Sequence, residues 1–172
     1  RAWACGEAVR DCEWARDYLR GEQQAVLQWT DPETGIACKG RCDVLGDGFI
    51  ADLKTTMSVD ADAFGRDVAK FLYHFQASWY RRGFHAMTGR WVDFYLVAVE
   101  KFPPHDVGVF LVDGDALQKG NELVDLALRR YAEGTRTKKW RGRYSGVEAV
   151  KFPMYAMKSD EEIDPDEGEV SY

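Results

Sequence analysis

Residues 40–56 decide the fold: Gly40-Arg41-Cys42-Asp43-Val44-Leu45-Gly46-Asp47-Gly48-Phe49-Ile50-Ala51-Asp52-Leu53-Lys54-Thr55-Thr56. The stretch reads as two short strands joined by a tight turn. Gly46-Asp47-Gly48 is the turn, because Gly and Asp accept the positive φ that a hairpin needs. In the second strand Phe49, Ala51 and Leu53 point one way and Ile50, Asp52 and Lys54 the other, by the two-residue period of a strand. Asp52 and Lys54 therefore emerge side by side on one face. Asp43, near the end of the first strand, lies across the hairpin and reaches the same place.

Two carboxylates held close together repel and raise each other's pKa unless a cation sits between them. A hard divalent cation with oxygen ligands meets that need, and Mg²⁺ takes one or two carboxylates plus waters and phosphate oxygens. Lys54 beside them is placed to orient a metal-bound water or to steady a phosphate oxygen. In outline this is a site for metal-assisted phosphodiester hydrolysis. An Asp-x-Lys triplet is also the pattern of a solvated strand face or a cross-strand ion pair, so the reading needs support from the rest of the chain.

That support comes from motif order. Gly40-x-x-Asp43, followed by a strand carrying Asp52-Leu53-Lys54-Thr55, resembles the PD-(D/E)xK nuclease superfamily. Gln76-Ala77-Ser78-Trp79-Tyr80 resembles the Gln-x-x-x-Tyr motif of its RecB-type branch. Trp29-Thr30-Asp31-Pro32-Glu33-Thr34-Gly35-Ile36-Ala37-Cys38-Lys39-Gly40-Arg41-Cys42-Asp43 and Tyr73-His74-Phe75-Gln76 are similar to the exonuclease VIII (RecE) type, often found in phages. The resemblance spans residues 20–115. Cys42 stands where the superfamily usually has Pro, a position that varies widely.

The resemblance implies metal ligation by Asp43, Asp52 and the Leu53 carbonyl, with Mg²⁺ or Mn²⁺ as the ion. An upstream Glu or His often completes such sites. Glu22 occupies that place, with Glu7 and Glu13 as rivals. It further implies that Lys54 positions the water and that Gln76 and Tyr80 help hold DNA or the attacking water. The implied activity is 5′→3′ exonuclease action on the ends of linear double-stranded DNA in recombination. The implied partners are a single-strand annealing protein and further copies of the chain in a ring that encloses DNA. The implied setting is cytoplasmic, bacterial or phage-encoded.

Composition is compatible with this. The 172 residues, 45% hydrophobic and 13% aromatic, suit one folded domain with a sizeable core. No apolar run approaches the ~20 residues of a membrane span. No signal-peptide pattern is visible at the start, where Arg1 and not Met stands. Residues 159–172 contain seven acids and no Lys or Arg, and subtracting those seven from the net −6 leaves +1. The acidity belongs to a tail expected to be disordered, behind a near-neutral nuclease domain of residues 1–158.

The four cysteines, Cys5, Cys12, Cys38 and Cys42, include no Cys-x-x-Cys pair. Several RecB-type nucleases hold an iron–sulfur cluster with one early cysteine and three late ones. No cysteine follows Cys42 here, so no iron–sulfur cluster is expected. Nor is a structural zinc site. Packed, reduced thiols are the reading, with Cys38 and Cys42 on the same side of one strand.

Along the chain, Arg1–Arg20 reads as a helix stopped by Gly21. Gln24–Trp29 reads as a strand, Asp31–Gly35 as a hairpin turn, and Ile36–Leu45 and Phe49–Thr55 as further strands. Ser58–Phe64 is a polar connection with Ser58 or Asp60 as N-cap. Phe64–Thr88 reads as one or two helices ending near Gly83 or Gly89, with Phe71, Leu72, Phe75, Trp79 and Phe84 toward the core. Tyr73, Gln76 and Tyr80 form a single stripe on it. Arg66, Lys70, Arg81 and Arg82 offer phosphate contacts or a solvated face. Trp91–Glu100 alternates as a strand, Pro103-Pro104 makes a turn, and Val107–Val112 is apolar enough for an internal strand. Asp115–Gly134 is an amphipathic helix. Arg129, Arg130, Arg136, Lys138, Lys139, Arg141 and Arg143, with Trp140 and Tyr144 interleaved, suit phosphate contact and base stacking. The same segment also suits neutralising the acidic tail or contacting another subunit. His74, His85 and His105 are not spaced as metal ligands.

The fold expected is α/β, a central mixed β-sheet flanked by helices. The activity expected is metal-dependent DNA exonuclease, with a structure-specific endonuclease or nickase of the same fold, or an inactive DNA-binding module, as alternatives. End-labelled linear DNA against covalently closed circles separates the first two. The intact Asp43, Asp52 and Lys54 set speaks against the third, because a module that only binds DNA does not need carboxylates facing phosphates.

Overall fold

The computed structural model describes residues 2–140, 142, 146–152 and 154. Its contacts gather into two units, Arg1–Lys138 and Lys139–Tyr172. The acidic tail and Arg141, Arg143 and Tyr144 of the basic stretch lie outside the described residues.

The first unit is an α/β fold. A five-stranded mixed sheet has the order β1-β2-β3-β4-β5. The strands are β1 (Glu22–Thr30), β2 (Ala37–Leu45), β3 (Phe49–Thr56), β4 (Asp93–Glu100) and β5 (Val107–Leu111). Neighbours are antiparallel except β3 and β4, which run parallel. A parallel pair needs a crossover, and the chain supplies α3 (Ala61–Lys70) and α4 (Tyr73–Thr88) between them. α5 (Gly114–Thr137) packs on α4. On the other face lie α1 (Ala2–Asp11) and the short α2 (Glu13–Arg16).

Two cores follow from this layering. Ala25, Leu27, Cys42, Ile50, Phe64, Ala77, Phe94, Leu96 and Ala98 fill the space beneath α3 and α4. Cys5, Val9, Val44, Ala51, Val97 and Val99 fill the opposite side beneath α1. β4 contributes alternate residues to both, as a central strand must.

The β1–β2 hairpin is built as its sequence suggests. Asp31 Oδ2 accepts the Thr34 N–H at 2.9 Å, and Gly35 takes φ +68°. The first helical segment departs from expectation: it is broken at Cys12, which is extended (φ −72°, ψ 111°), and continues as α2 and a 3₁₀ turn, Asp17–Leu19. β1 begins at Glu22, so Glu22 is a strand residue and not a helix-end residue. α3 starts at Ala61, earlier than the connection predicted there, because Asp60 caps the Ala63 N–H at 2.9 Å. Leu72 at φ +58° separates α3 from α4, and at this break Phe71 and Leu72 are exposed instead of buried. α4 runs through Gly83 to a left-handed C-cap at Gly89. A Cβ on Gly83 would collide with the Trp29 ring at 2.6 Å, so this glycine lets the helix lie on β1. Val107–Leu111 is an edge strand, not an internal one. Arg81 and Arg82 do not reach outward for phosphates. Arg81 Nε donates to the Val92 carbonyl at 2.6 Å, and Arg82 pairs with Asp125 of α5 at 2.6 Å.

Among the described residues, no helix is long and apolar enough to cross a membrane. The four cysteines are free thiols, and Cys38 and Cys42 both lie on the α4 side of β2.

Candidate active site

The β2–β3 ladder is short. Its recorded pairs are Val44↔Ala51 and Leu45↔Ile50, next to the turn. Beyond them, where Asp43 and Asp52 would be opposite, the strands part. The Asp43 side chain fills the gap, and its Oδ2 accepts the Leu53 N–H at 2.9 Å. A strand residue directs its N–H and C=O toward the same neighbour, so the Leu53 carbonyl faces this gap too.

A strict two-residue period does not hold through Asp43. Cys42 lies in the core under α4, yet Val44 lies in the core under α1. Residues two apart share a face in a regular strand, so β2 changes facing across Asp43. On β1 the ladder pairs Gln23↔Val44 and Ala25↔Cys42 but skips Gln24 opposite Asp43. Gln24 is left-handed, at φ +56°. Its Nε2 donates to Asp43 Oδ1 at 3.0 Å.

Asp52 and Lys54 both face α4, as alternation predicts. Asp52 is 3% exposed, and its Oδ2 holds the Lys54 ammonium. Gln76 on α4 joins the two: its Oε1 accepts from Lys54 Nζ at 2.9 Å and its Nε2 donates to Asp52 Oδ1 at 2.9 Å. The chemistry fixes the amide this way round, since an ammonium only donates and a carboxylate only accepts. Gln76 Nε2 also reaches the Tyr80 hydroxyl at 3.4 Å, and Lys54 Nζ lies 4.5 Å from the centre of the Tyr73 ring. The Tyr73, Gln76 and Tyr80 stripe thus converges on Asp52 and Lys54. The four oxygens of Asp43 and Asp52 each hold one protein donor: Gln24, Leu53 N–H, Gln76 and Lys54.

Burial pushes the Asp52 carboxyl above its ordinary pKa, outweighing the downward pull of Lys54; Asp43 adds to the rise. Burial drives the Cys42 thiol up to about 11, and the charges of Asp43, Asp52 and Glu22 add to it. Glu22 itself sits at the exposed start of β1, opposite Leu45. Among the described residues, no three His, Cys, Asp or Glu side chains converge as a ready-made metal cage. Burial also raises the Tyr80 hydroxyl, so it stays protonated at neutral pH.

An all-oxygen donor set of Asp43, Asp52 and the Leu53 carbonyl fits Mg²⁺ or Mn²⁺. Each carboxylate oxygen has a second lone pair beside the one its protein donor takes. The histidines stay apart from this set, as their spacing predicts: His74 Nδ1 contacts the Val68 carbonyl, His85 stacks on Trp91, and His105 Nδ1 contacts the Glu100 carbonyl.

Next to the site lies an open groove of about 530 Å³ between β2, α4 and α5. Cys38, Lys39, Gly40, Phe75, Gln76, Trp79, Tyr80, Leu128 and Tyr131 line it. Trp79 is fixed by a 3.1 Å bond from its indole N–H to the Lys39 carbonyl and stacks in parallel on Phe75.

The model of a family described as a PDDEXK-like domain of unknown function matches residues 1–152. The chain belongs to this family. No curated protein matches it. The crystal structure of a "putative exonuclease" from Eubacterium rectale superposes with a TM-score of 0.69 at 18% identity, covering 92% of this chain and 65% of that one. The chain thus spans about two thirds of the relative's length, and the likeness establishes a shared fold.

Two features of the PDDEXK-like site escape sequence reading. Gln24 has no local signal, because glutamine is a poor predictor of left-handed backbone. Counting the hairpin register back from the Asp31–Gly35 turn would have put it opposite Asp43. Phe75 and Trp79 read as core residues by helical spacing, yet they line the groove.

Proposed function

We propose that this domain is a metal-dependent DNA exonuclease acting on ends of linear double-stranded DNA, in the manner of exonuclease VIII. The observation that carries the reading is the Gln76 amide bridging Asp52 and Lys54 at 2.9 Å each, beside a gap into which Asp43 points. A solvated Asp-x-Lys pair would not be buried under a helix that supplies one amide to both partners.

Asp43, Asp52 and the Leu53 carbonyl would hold the ion, with Glu22 able to add charge from the rim. When bound, the ion supplies Lewis-acid activation of a water and neutralises charge at the phosphate. Lys54 spends two of its three protons on Asp52 and Gln76 and has one for the attacking water or a phosphate oxygen. Gln76 fixes the direction of that ammonium. Tyr80 accepts from Gln76 and can donate its own proton to a substrate oxygen. Phe75, Trp79 and Tyr80 offer aromatic faces to the bases of one strand beside the site, a mode that tolerates any sequence. The exposed Arg129, Arg130 and Arg136 on α5 supply phosphate contacts. Digestion in the 5′→3′ direction, ring assembly and work with a single-strand annealing protein complete the proposal.

The test is cleavage of linear duplex labelled at its 5′ or 3′ end, beside covalently closed circles, with Mg²⁺ or EDTA. Metal-dependent release of nucleotides from the 5′ end alone, with circles untouched, supports the reading. Cutting of circles points to an endonuclease. No cleavage by folded protein in Mg²⁺ or Mn²⁺ leaves a DNA-binding module.

A further inference from the structure

Among the described residues, four other than glycine have positive φ: Gln24, Leu72, His105 and Lys138. Leu72 precedes α4, Lys138 caps α5, and His105 lies in the turn between β4 and β5. Each of these is at an element boundary, where left-handed backbone is common. Gln24 is the exception, inside a nine-residue strand. A side chain rarely keeps such a conformation unless its surroundings hold it there, and such residues cluster at functional sites.

What holds it is Asp43. The break in the β1–β2 ladder falls on the Gln24 and Asp43 pair, and the change of facing in β2 falls on the same step. The result aims the Gln24 amide at Asp43 Oδ1 (3.0 Å) while the Leu53 N–H takes Oδ2 (2.9 Å). Asp43 is thereby clamped from two sides. Gln76 does for Asp52 what Gln24 does for Asp43: one amide N–H on one carboxylate oxygen, at 2.9 Å.

We infer that Gln24 is a positioning residue for Asp43, orienting its carboxylate for a divalent cation. This rests on the metal-dependent reading of the site given above. Partners behind a metal ligand set its direction, and their loss costs about 10- to 100-fold in metal affinity. Gln24 would not touch substrate, so its effect falls on the metal requirement and not on turnover once metal saturates.

The left-handed backbone makes the test clean, because glycine accepts φ +56° without a penalty. Mn²⁺ alone is titrated calorimetrically into wild type, Gln24→Gly and Gln24→Asn, and unfolding is followed in EDTA. Gln24→Gly is expected to melt in EDTA no lower than wild type, yet to bind Mn²⁺ about 10- to 100-fold more weakly. Its kcat at saturating Mn²⁺ should stay within about threefold. Gln24→Asn, which tolerates the backbone and keeps an amide, should recover part of the affinity. A Gln24→Gly protein that is folded and binds Mn²⁺ like wild type overturns the inference. Wild type that binds no Mn²⁺ overturns the metal-dependent function itself, and this inference with it.

Discussion

The ring of Tyr80 lies against Gly40: a Cβ on Gly40 would stand 2.7 Å from ring atom Cε1 and 2.8 Å from Cδ1. The glycine opens the Gly-x-x-Asp motif and the tyrosine closes Gln-x-x-x-Tyr. The two motifs are therefore one packing unit, in which β2 must be bare for α4 to approach. Gly40→Ala should cost about 1–3 kcal/mol by overpacking, and should lower nuclease activity by displacing Tyr80 and the Gln76 amide beside it. Adding Tyr80→Ala removes the obstacle, so the double variant should be more stable than the two single losses sum to. Strict additivity in thermal melts would show that the ring is not what excludes a side chain at Gly40.

Lys54 is anchored by Asp52 and Gln76, and that anchoring suits a group whose task is aim. Lys54→Ala should reduce kcat by about 10²- to 10³-fold, the usual cost of one preorganised donor to developing charge. Mn²⁺ binding should survive, because the carboxylates stay. Single-turnover cleavage beside a Mn²⁺ titration tests both parts, and normal turnover in the variant would remove Lys54 from the mechanism.

α4 also needs α5 behind it. A Cβ on Gly120 would run into the His74 carbonyl and the Ser78 hydroxyl, which itself donates to the Leu117 carbonyl at 3.0 Å. Gly120→Ala should lower stability by about 1–3 kcal/mol, whereas Lys119→Ala, one residue earlier and exposed, should change it by less than about 0.5 kcal/mol. Equal denaturation midpoints for the two would refute the close contact.

Much of this was legible in the chain. Alternation alone put Asp52 and Lys54 on one face, and helical spacing alone put Gln76 and Tyr80 on one stripe. Both are local periods, and the structure keeps them. The irregularities were not legible. The hairpin register puts Asp43 opposite Asp52, but no local period announces that β2 changes facing between Cys42 and Val44 or that Gln24 turns left-handed beside it. Leu72, a strong helix former, breaks a helix by turning left-handed, at φ +58°. Val107–Val112 reads as an internal strand by composition, yet nothing in a sequence says which strand is last in a sheet.

Asp52 carries the remaining prediction. Burial raises its pKa in the folded protein by more than Lys54 lowers it. The folded state then holds this proton to higher pH than the unfolded chain, whose Asp titrates near about 3.9. Stability contributed by the protonated form is present at low pH and is lost as pH rises through the folded pKa. In EDTA, the melting temperature of Asp52→Asn relative to wild type should therefore climb as pH goes from about 4 toward neutrality. Metal reverses the preference, because ligation requires the carboxylate. Mg²⁺ should raise the wild-type melting temperature more at the upper end of that range than at the lower, and should leave Asp52→Asn unmoved. Parallel pH curves in EDTA would mean that Lys54 compensates the burial in full. An equal Mg²⁺ shift in both proteins would place the ion away from Asp52.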